Sequence, residues 1–225
     1  VVAWCMNHGV PVIPGCATPS EVEACIRMGL DIVKLFPAEV LGGVAMLRAL
    51  AGPYGQMRFM PTGGIGERNL AAYLKEPNVL CCGGSWMVKD DLIKAGEFDK
   101  IEALTREAVE QMLGFELAHV GINETDEEAA DKTAGRFESI FGLEKKTGSG
   151  SVFAGTAVEV MKTPGLGAKG HIGIRTNYID RAVNYLENQG VEFNPSSAKY
   201  DDKGNLKAIY LKEEIGGFAV HLVQK

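Results

Sequence analysis

Through residues 1–113, short apolar runs alternate with stretches in which apolar side chains recur every three or four positions. The runs at 10–15, 31–37, 57–64 and 78–85 read as strands, and those at 20–28, 43–51, 67–74 and 99–113 as helices. Pro19-Ser20 ahead of Glu21, and Gly66-Glu67, supply helix starts. This alternation predicts parallel strands with helices packed outside, as in a (β/α) barrel or a doubly wound sheet. In either architecture the chemistry gathers where the strands end.

Beyond Leu113-Gly114 the pattern changes. His119-Val120-Gly121-Ile122 recurs as His171-Ile172-Gly173-Ile174, an offset of 52 residues (171 − 119). A helical stretch follows each copy, at 127–141 and 179–189, and strand-like segments come after, at 152–161, 208–212 and 218–223. Asp202-Lys203-Gly204-Asn205 and Gly216-Gly217 are hairpin signals. Such a repeat means two copies of one supersecondary unit of order β-α-β-β-β. Two domains are therefore expected, 1–113 and 115–225.

Composition narrows the function. A net charge of −6 leaves no basic footprint for nucleic acid or an anionic membrane, and no apolar run is long enough to span a bilayer. The five cysteines fall within the first 82 residues without a CxxC pair, which fits reduced thiols and a cytoplasmic protein. The chain starts on Val inside a helical pattern, so an N-terminally truncated piece of a longer protein is expected.

Lys34 is the oddity of the first half. It interrupts the apolar strand at 31–37, sharing a face with Ile32 and Phe36. A desolvated amine in an apolar pocket suits a Schiff-base nucleophile; the alternative is a lysine that snorkels to water. Two glycine turns, Gly63-Gly64 and Gly83-Gly84, close the next two strands and offer backbone N–H groups to an anion.

The segments Ile13-Pro14-Gly15-Cys16-Ala17-Thr18-Pro19-Ser20-Glu21, Val33-Lys34-Leu35-Phe36-Pro37-Ala38-Glu39, Pro61-Thr62-Gly63-Gly64-Ile65 and Gly83-Gly84-Ser85-Trp86 closely resemble the second half of the 2-keto-3-deoxy-6-phosphogluconate and 4-hydroxy-2-oxoglutarate aldolases. The resemblance implies the C-terminal half of a (β/α)₈ barrel, four βα units of a metal-free, trimeric class I aldolase. In it Lys34 is the Schiff-base lysine and Phe36 lines the pyruvate pocket. Thr62, Gly63, Gly64 and Ser85 bind the substrate carboxylate or phosphate. The family's acid/base glutamate and substrate-binding arginine have no counterpart in this chain, so the piece alone is expected to be inactive. Glu39 is read as a charge at a helix N-terminus.

The repeat at 115–225 resembles, more loosely, the vicinal oxygen chelate fold of glyoxalases and extradiol dioxygenases. That fold sets metal ligands on the first and last strands of each module, here His119, Glu159, His171 and His221. Such a set suits divalent Zn, Ni, Mn or Fe. The resemblance leaves two alternatives open, a metal-dependent isomerase or dioxygenase and a metal-free small-molecule-binding module. Gly165–Gly170 spells GxGxxG but leads into a strand rather than a helix, so it is not read as a dinucleotide site.

Overall fold

A computed structural model describes residues 1–225, which divide into the units Val1–Met112 and Leu113–Lys225. No helix is long and apolar enough to cross a membrane.

The first unit runs α1 (Val2–Asn7), β1 (Gly15–Cys16), α2 (Pro19–Arg27), β2 (Ile32–Leu35), α3 (Gly43–Ala51), β3 (Arg58–Phe59), α4 (Leu70–Leu74), α5 (Asp90–Ala95) and α6 (Phe98–Leu113). The strands pair in parallel in the order β1-β2-β3. Isolated parallel bridges, Phe59 to Val79 and Thr62 to Gly83, align a fourth extended segment beside β3. The strands are shorter than the apolar runs predict. Pro14 and Pro61 interrupt two of those runs, and a proline has no N–H for the ladder.

Helix α2 starts where expected, with Thr18 and Glu21 capping each other and Pro19 in the first turn. Helix α4 starts at Leu70, three residues later than the Gly66-Glu67 signal suggests. The Asn69 side chain accepts from Gly66 N–H and donates to the Gly64 carbonyl, holding 64–69 as a loop. Val33, Leu35, Leu47, Met57, Phe59 and Tyr73 are fully buried between sheet and helices.

The second unit runs β4 (Glu116–Asn123), α7 (Glu127–Phe141), β5 (Lys145–Thr147), β6 (Ser151–Ala154), β7 (Val158–Met161), β8 (His171–Thr176), α8 (Ile179–Glu187), β9 (Lys199–Tyr200), β10 (Leu206–Ile215) and β11 (Phe218–Gln224). The β-α-β-β-β order thus occurs twice. Asp126 caps α7 by accepting from Ala129 N–H, and small Ala130 and Ala134 let that helix lie close on Val152 and Val160.

All eight strands join one sheet, β5-β6-β7-β4-β8-β11-β10-β9. Within each copy the first and last strands are parallel, β4 with β7 and β8 with β11. The two first strands, β4 and β8, meet antiparallel at the centre. This relates the copies by an approximate two-fold, so whatever one copy presents to the centre line the other presents in return. Gly165–Gly170 is a loop between β7 and β8, with no helix after it.

Candidate functional site

Strand β2 turns Val33 and Leu35 into the core and leaves Ile32 and Lys34 on the opposite, half-buried face. Of the two readings of Lys34, a pocket-enclosed amine and a lysine reaching for water, the fold of this unit leaves it half-buried on an open face. Nothing in the first unit covers that face as completely as helices cover the other, and Phe36, next along it, is 48 % exposed. The Lys34 ammonium stands 5.1 Å from the centroid of the Phe36 ring, a cation–π contact.

The chain after β2 folds against the loop after β3. Ala38 N–H donates to the Thr62 carbonyl at 2.8 Å and Glu39 N–H to the Gly63 carbonyl at 3.1 Å. A Cβ on Gly63 would stand 3.3 Å from the Phe36 ring, and one on Gly83 would be 2.5 Å from Thr62 Oγ1. Lys34, Phe36, Thr62 and Gly63 are thus brought together. Gly64 packs instead on the stem of Glu39, and Ser85 lies exposed two residues past the Thr62–Gly83 bridge. Glu39 is not at a helix start, since α3 begins at Gly43; its carboxylate accepts from the buried Tyr73 hydroxyl. Burial, then that hydrogen bond, push the Tyr73 phenol well above its ordinary range.

In the second unit, His119, Glu159, His171 and His221 converge on the centre of the sheet. Glu159 Oε2 lies 3.3 Å from His119 Nε2 and 3.2 Å from His171 Nε2, and His221 Nε2 lies 3.1 Å from His119 Nε2. The three histidines offer ligand atoms within 4.8 Å of one another. Donors about 2.0–2.1 Å from a tetrahedral ion stand about 3.3 Å apart, so the closest spacings match the edges of a coordination tetrahedron.

The protonation states favour a cation. Burial, reinforced by the charges of the other two rings, pushes His221 down to about 3, and burial also lowers His119. Burial alone would raise the Glu159 carboxyl, but hydrogen bonds from His171 and Ser151 and the charge of His119 outweigh it and hold it at about 2. Weakened proton affinity at His119 and His221 beside an ionised carboxylate leaves those donors open to a divalent metal.

Sequence reading missed three supports. Ser151 Oγ donates to Glu159 Oε1 at 2.7 Å, fixing the carboxylate so that its other oxygen faces the rings. Tyr210 stacks on His221, 4.5 Å between centroids and 16° between planes. His221 Nδ1 is buried without a hydrogen-bond partner, so the stack and the Nε2 contact with His119 orient the ring. The third is a pair of glycines. Across the β4–β8 ladder Gly121 faces His171 and Gly173 faces His119. A Cβ on Gly121 would sit 2.0 Å from the His171 ring, and one on Gly173 would sit 2.6 Å from the His119 ring. The H-x-G repetition carried this signal, since each glycine clears room for the other copy's imidazole.

Comparison with known proteins places the first unit. Residues 1–104 match the family model "KDPG and KHG aldolase". A 2-dehydro-3-deoxy-phosphogluconate aldolase of Treponema pallidum is 53% identical over 110 residues, covering 49% of this chain and 52% of that protein. The KHG/KDPG aldolase of Escherichia coli is 52% identical over 101 residues, covering 45% and 47%. Among solved structures, methylmalonyl-CoA epimerase from Mycobacterium tuberculosis is 17% identical, covering 50% of this chain and 89% of its own, with a TM-score of 0.35. The chain spans about half the length of the curated relatives it matches. Residues 1–104 are therefore similar to the KDPG and KHG aldolases over about half of those proteins' length.

Proposed function

We propose that the first unit supplies the four-unit second half of a class I aldolase barrel, in which Lys34 is the nucleophile. The observation that carries this is the position of Lys34 on the open face of β2, beside Phe36 and the Thr62-Gly63 turn, within the family-matched segment. The substrate class is that of the relatives' names, 2-keto-3-deoxy-6-phosphogluconate or 4-hydroxy-2-oxoglutarate. Lys34 Nζ adds to the C2 carbonyl, and loss of water leaves an iminium. The iminium accepts the electron pair of the breaking C3–C4 bond as the C4 hydroxyl loses its proton and the aldehyde departs. Protonation at C3 and hydrolysis then return pyruvate and the free amine. Thr62, Gly63, Gly64 and Ser85 hold the anionic ends of the substrate.

The bond-breaking step also needs a proton carrier. Glu39, the next carboxylate after Lys34, is engaged by Tyr73. This chain is accordingly proposed to capture pyruvate without turning over an aldol, and to assemble as a homo-oligomer, a trimer by family likeness. Incubation with pyruvate and borohydride, followed by peptide mass spectrometry, is expected to find a reduced pyruvyl adduct on Lys34 and none in Lys34→Arg. An unmodified Lys34 in the parent chain would sink the assignment.

A second reading rests on a separate observation, the convergence of three histidines and Glu159. We infer that the second unit is a vicinal oxygen chelate domain that holds one divalent cation on His119, Glu159, His171 and His221. A cation there would act as a Lewis acid toward an oxygen of a bound ligand. The protein's own part is to disfavour protons on His119 and His221, to keep the Glu159 carboxylate ionised and to hold the rings in register. Titration with Co²⁺ is expected to saturate at one equivalent, with affinity lowered at least about 10-fold in Glu159→Gln. Binding unchanged by that substitution removes Glu159 from the site.

A further inference from the structure

The row of residues beside the metal donors has its own chemistry. On β8, His171, Gly173 and Arg175 alternate onto one face of the sheet, the face that carries the cluster. The cluster's row crosses the sheet as His119, Gly173, His221 and Tyr210, each opposite the next. Two residues along the strands, the neighbouring row on the same face reads Arg175, Val223, Ala208 and Lys199. Arg175 and Lys199 therefore flank one valine and one alanine in a row that runs beside the proposed metal donors, with Glu116 beyond Arg175.

The cations have no anion of their own. Glu116 is opposite Arg175 across the ladder, but its half-exposed carboxylate pairs with Lys225 Nζ at 3.4 Å and makes no ion pair with Arg175. Arg175 is half-buried, so its charge is only partly screened by water. It reaches the cluster electrically, helping to lower the His119 pKa, and Lys199 does the same to His221. A half-buried guanidinium without a carboxylate partner is a ready fork for one.

We propose that this strip of the sheet is the ligand site of the second unit, and that it takes a small carboxylate whose adjacent carbonyl or hydroxyl oxygen turns toward the metal donors, a 2-oxo or 2-hydroxy acid. Arg175 pairs with the carboxylate and Lys199 adds a second positive charge at the rim. The proposal rests on the metal reading above, and extends it by naming the ligand's class and the residues that select it. It also gives the chain two units with related appetites, since a 2-oxo acid is what Lys34 would capture.

The test uses the whole chain loaded with Co²⁺ and two probes of similar size, oxalate (an anion with adjacent oxygens) and acetohydroxamate (a chelator without a carboxylate). Calorimetry on the parent chain is expected to find oxalate binding, and Arg175→Gln to weaken it about 10- to 100-fold. Acetohydroxamate affinity and the Co²⁺ absorption spectrum are expected to stay unchanged in that variant. Arg175→Lys keeps the charge and is expected to retain most of the oxalate affinity, so a folding defect specific to glutamine is separable from loss of the anion contact. If Co²⁺ binds but both variants hold oxalate as tightly as the parent, the anion site is overturned and the metal centre stands. If the parent chain binds no Co²⁺, the metal reading falls, and the proposal with it.

Discussion

Gly121→Ala is expected to cost the second unit about 100-fold in Co²⁺ affinity while leaving the first unit's melting unchanged. The added Cβ would stand 2.0, 2.1 and 2.4 Å from three atoms of the His171 ring. No flexible tip can give way, because the atoms met belong to the rigid imidazole of a side chain that is 4 % exposed. The ring must swing off Glu159, which breaks their 3.2 Å contact and removes one donor from the set. Overpacking of this kind also destabilises by about 1–3 kcal/mol, so the metal-free variant should melt somewhat earlier. Loss of the donor is the larger effect, because a displaced ring no longer points at the ion at all. Calorimetric titration of parent and variant decides it, and equal affinities would mean that His171 is not a ligand. Gly173→Ala is the symmetric case, with the His119 ring as the group displaced.

Gly64→Ala is expected to destabilise the first unit by about 2–6 kcal/mol. Two penalties add here. Gly64 has φ +80°, where an L side chain costs about 1–3 kcal/mol. Its Cβ would also stand 2.5 Å from Glu39 Cγ and 2.7 Å from Glu39 Cβ, adding overpacking of similar size. Glu39 cannot readily move aside, because its carboxylate is tied to buried Tyr73 and its N–H to Gly63. At about 4–8 °C per kcal/mol for a domain near this size, the melting transition of that unit should fall by more than about 8 °C. Gly66→Ala is the control, since no atom lies within 4 Å of its Cβ and its φ is not positive. A Gly64 variant that melts with the Gly66 variant would show that the turn is not held as described.

Much of both units was readable from periodicity, and the failures have physical causes. Helix α3 occupies the predicted span, and α7 ends on Gly142 as its pattern demands. Strands β1 and β3 shrank to two residues each, because the apolar runs extend across Pro14 and Pro61, which have no N–H for the ladder. Lys34 was legible as an anomaly of composition, but its burial was not. Which face of a parallel strand is covered depends on elements elsewhere in the chain. The four donor positions could be named from the repeat and the resemblance. Their supports could not, because Ser151, Tyr210 and Arg175 become neighbours of the cluster only through strand register. Gly121 and Gly173 were visible in the repeated motif, yet their purpose appears only once β4 and β8 are seen to run antiparallel.

That antiparallel junction also sets an order of events. His119 and His221 are 102 residues apart in the chain, and Glu159 and His171 belong to different copies. Neither copy alone can gather the donor set, and contacts of such long sequence separation close late in folding. The cluster is therefore a completion marker. A bound Co²⁺ ion would take its final colour only after both copies had folded and docked, which makes the metal a clock for the last step of assembly rather than a seed for the first.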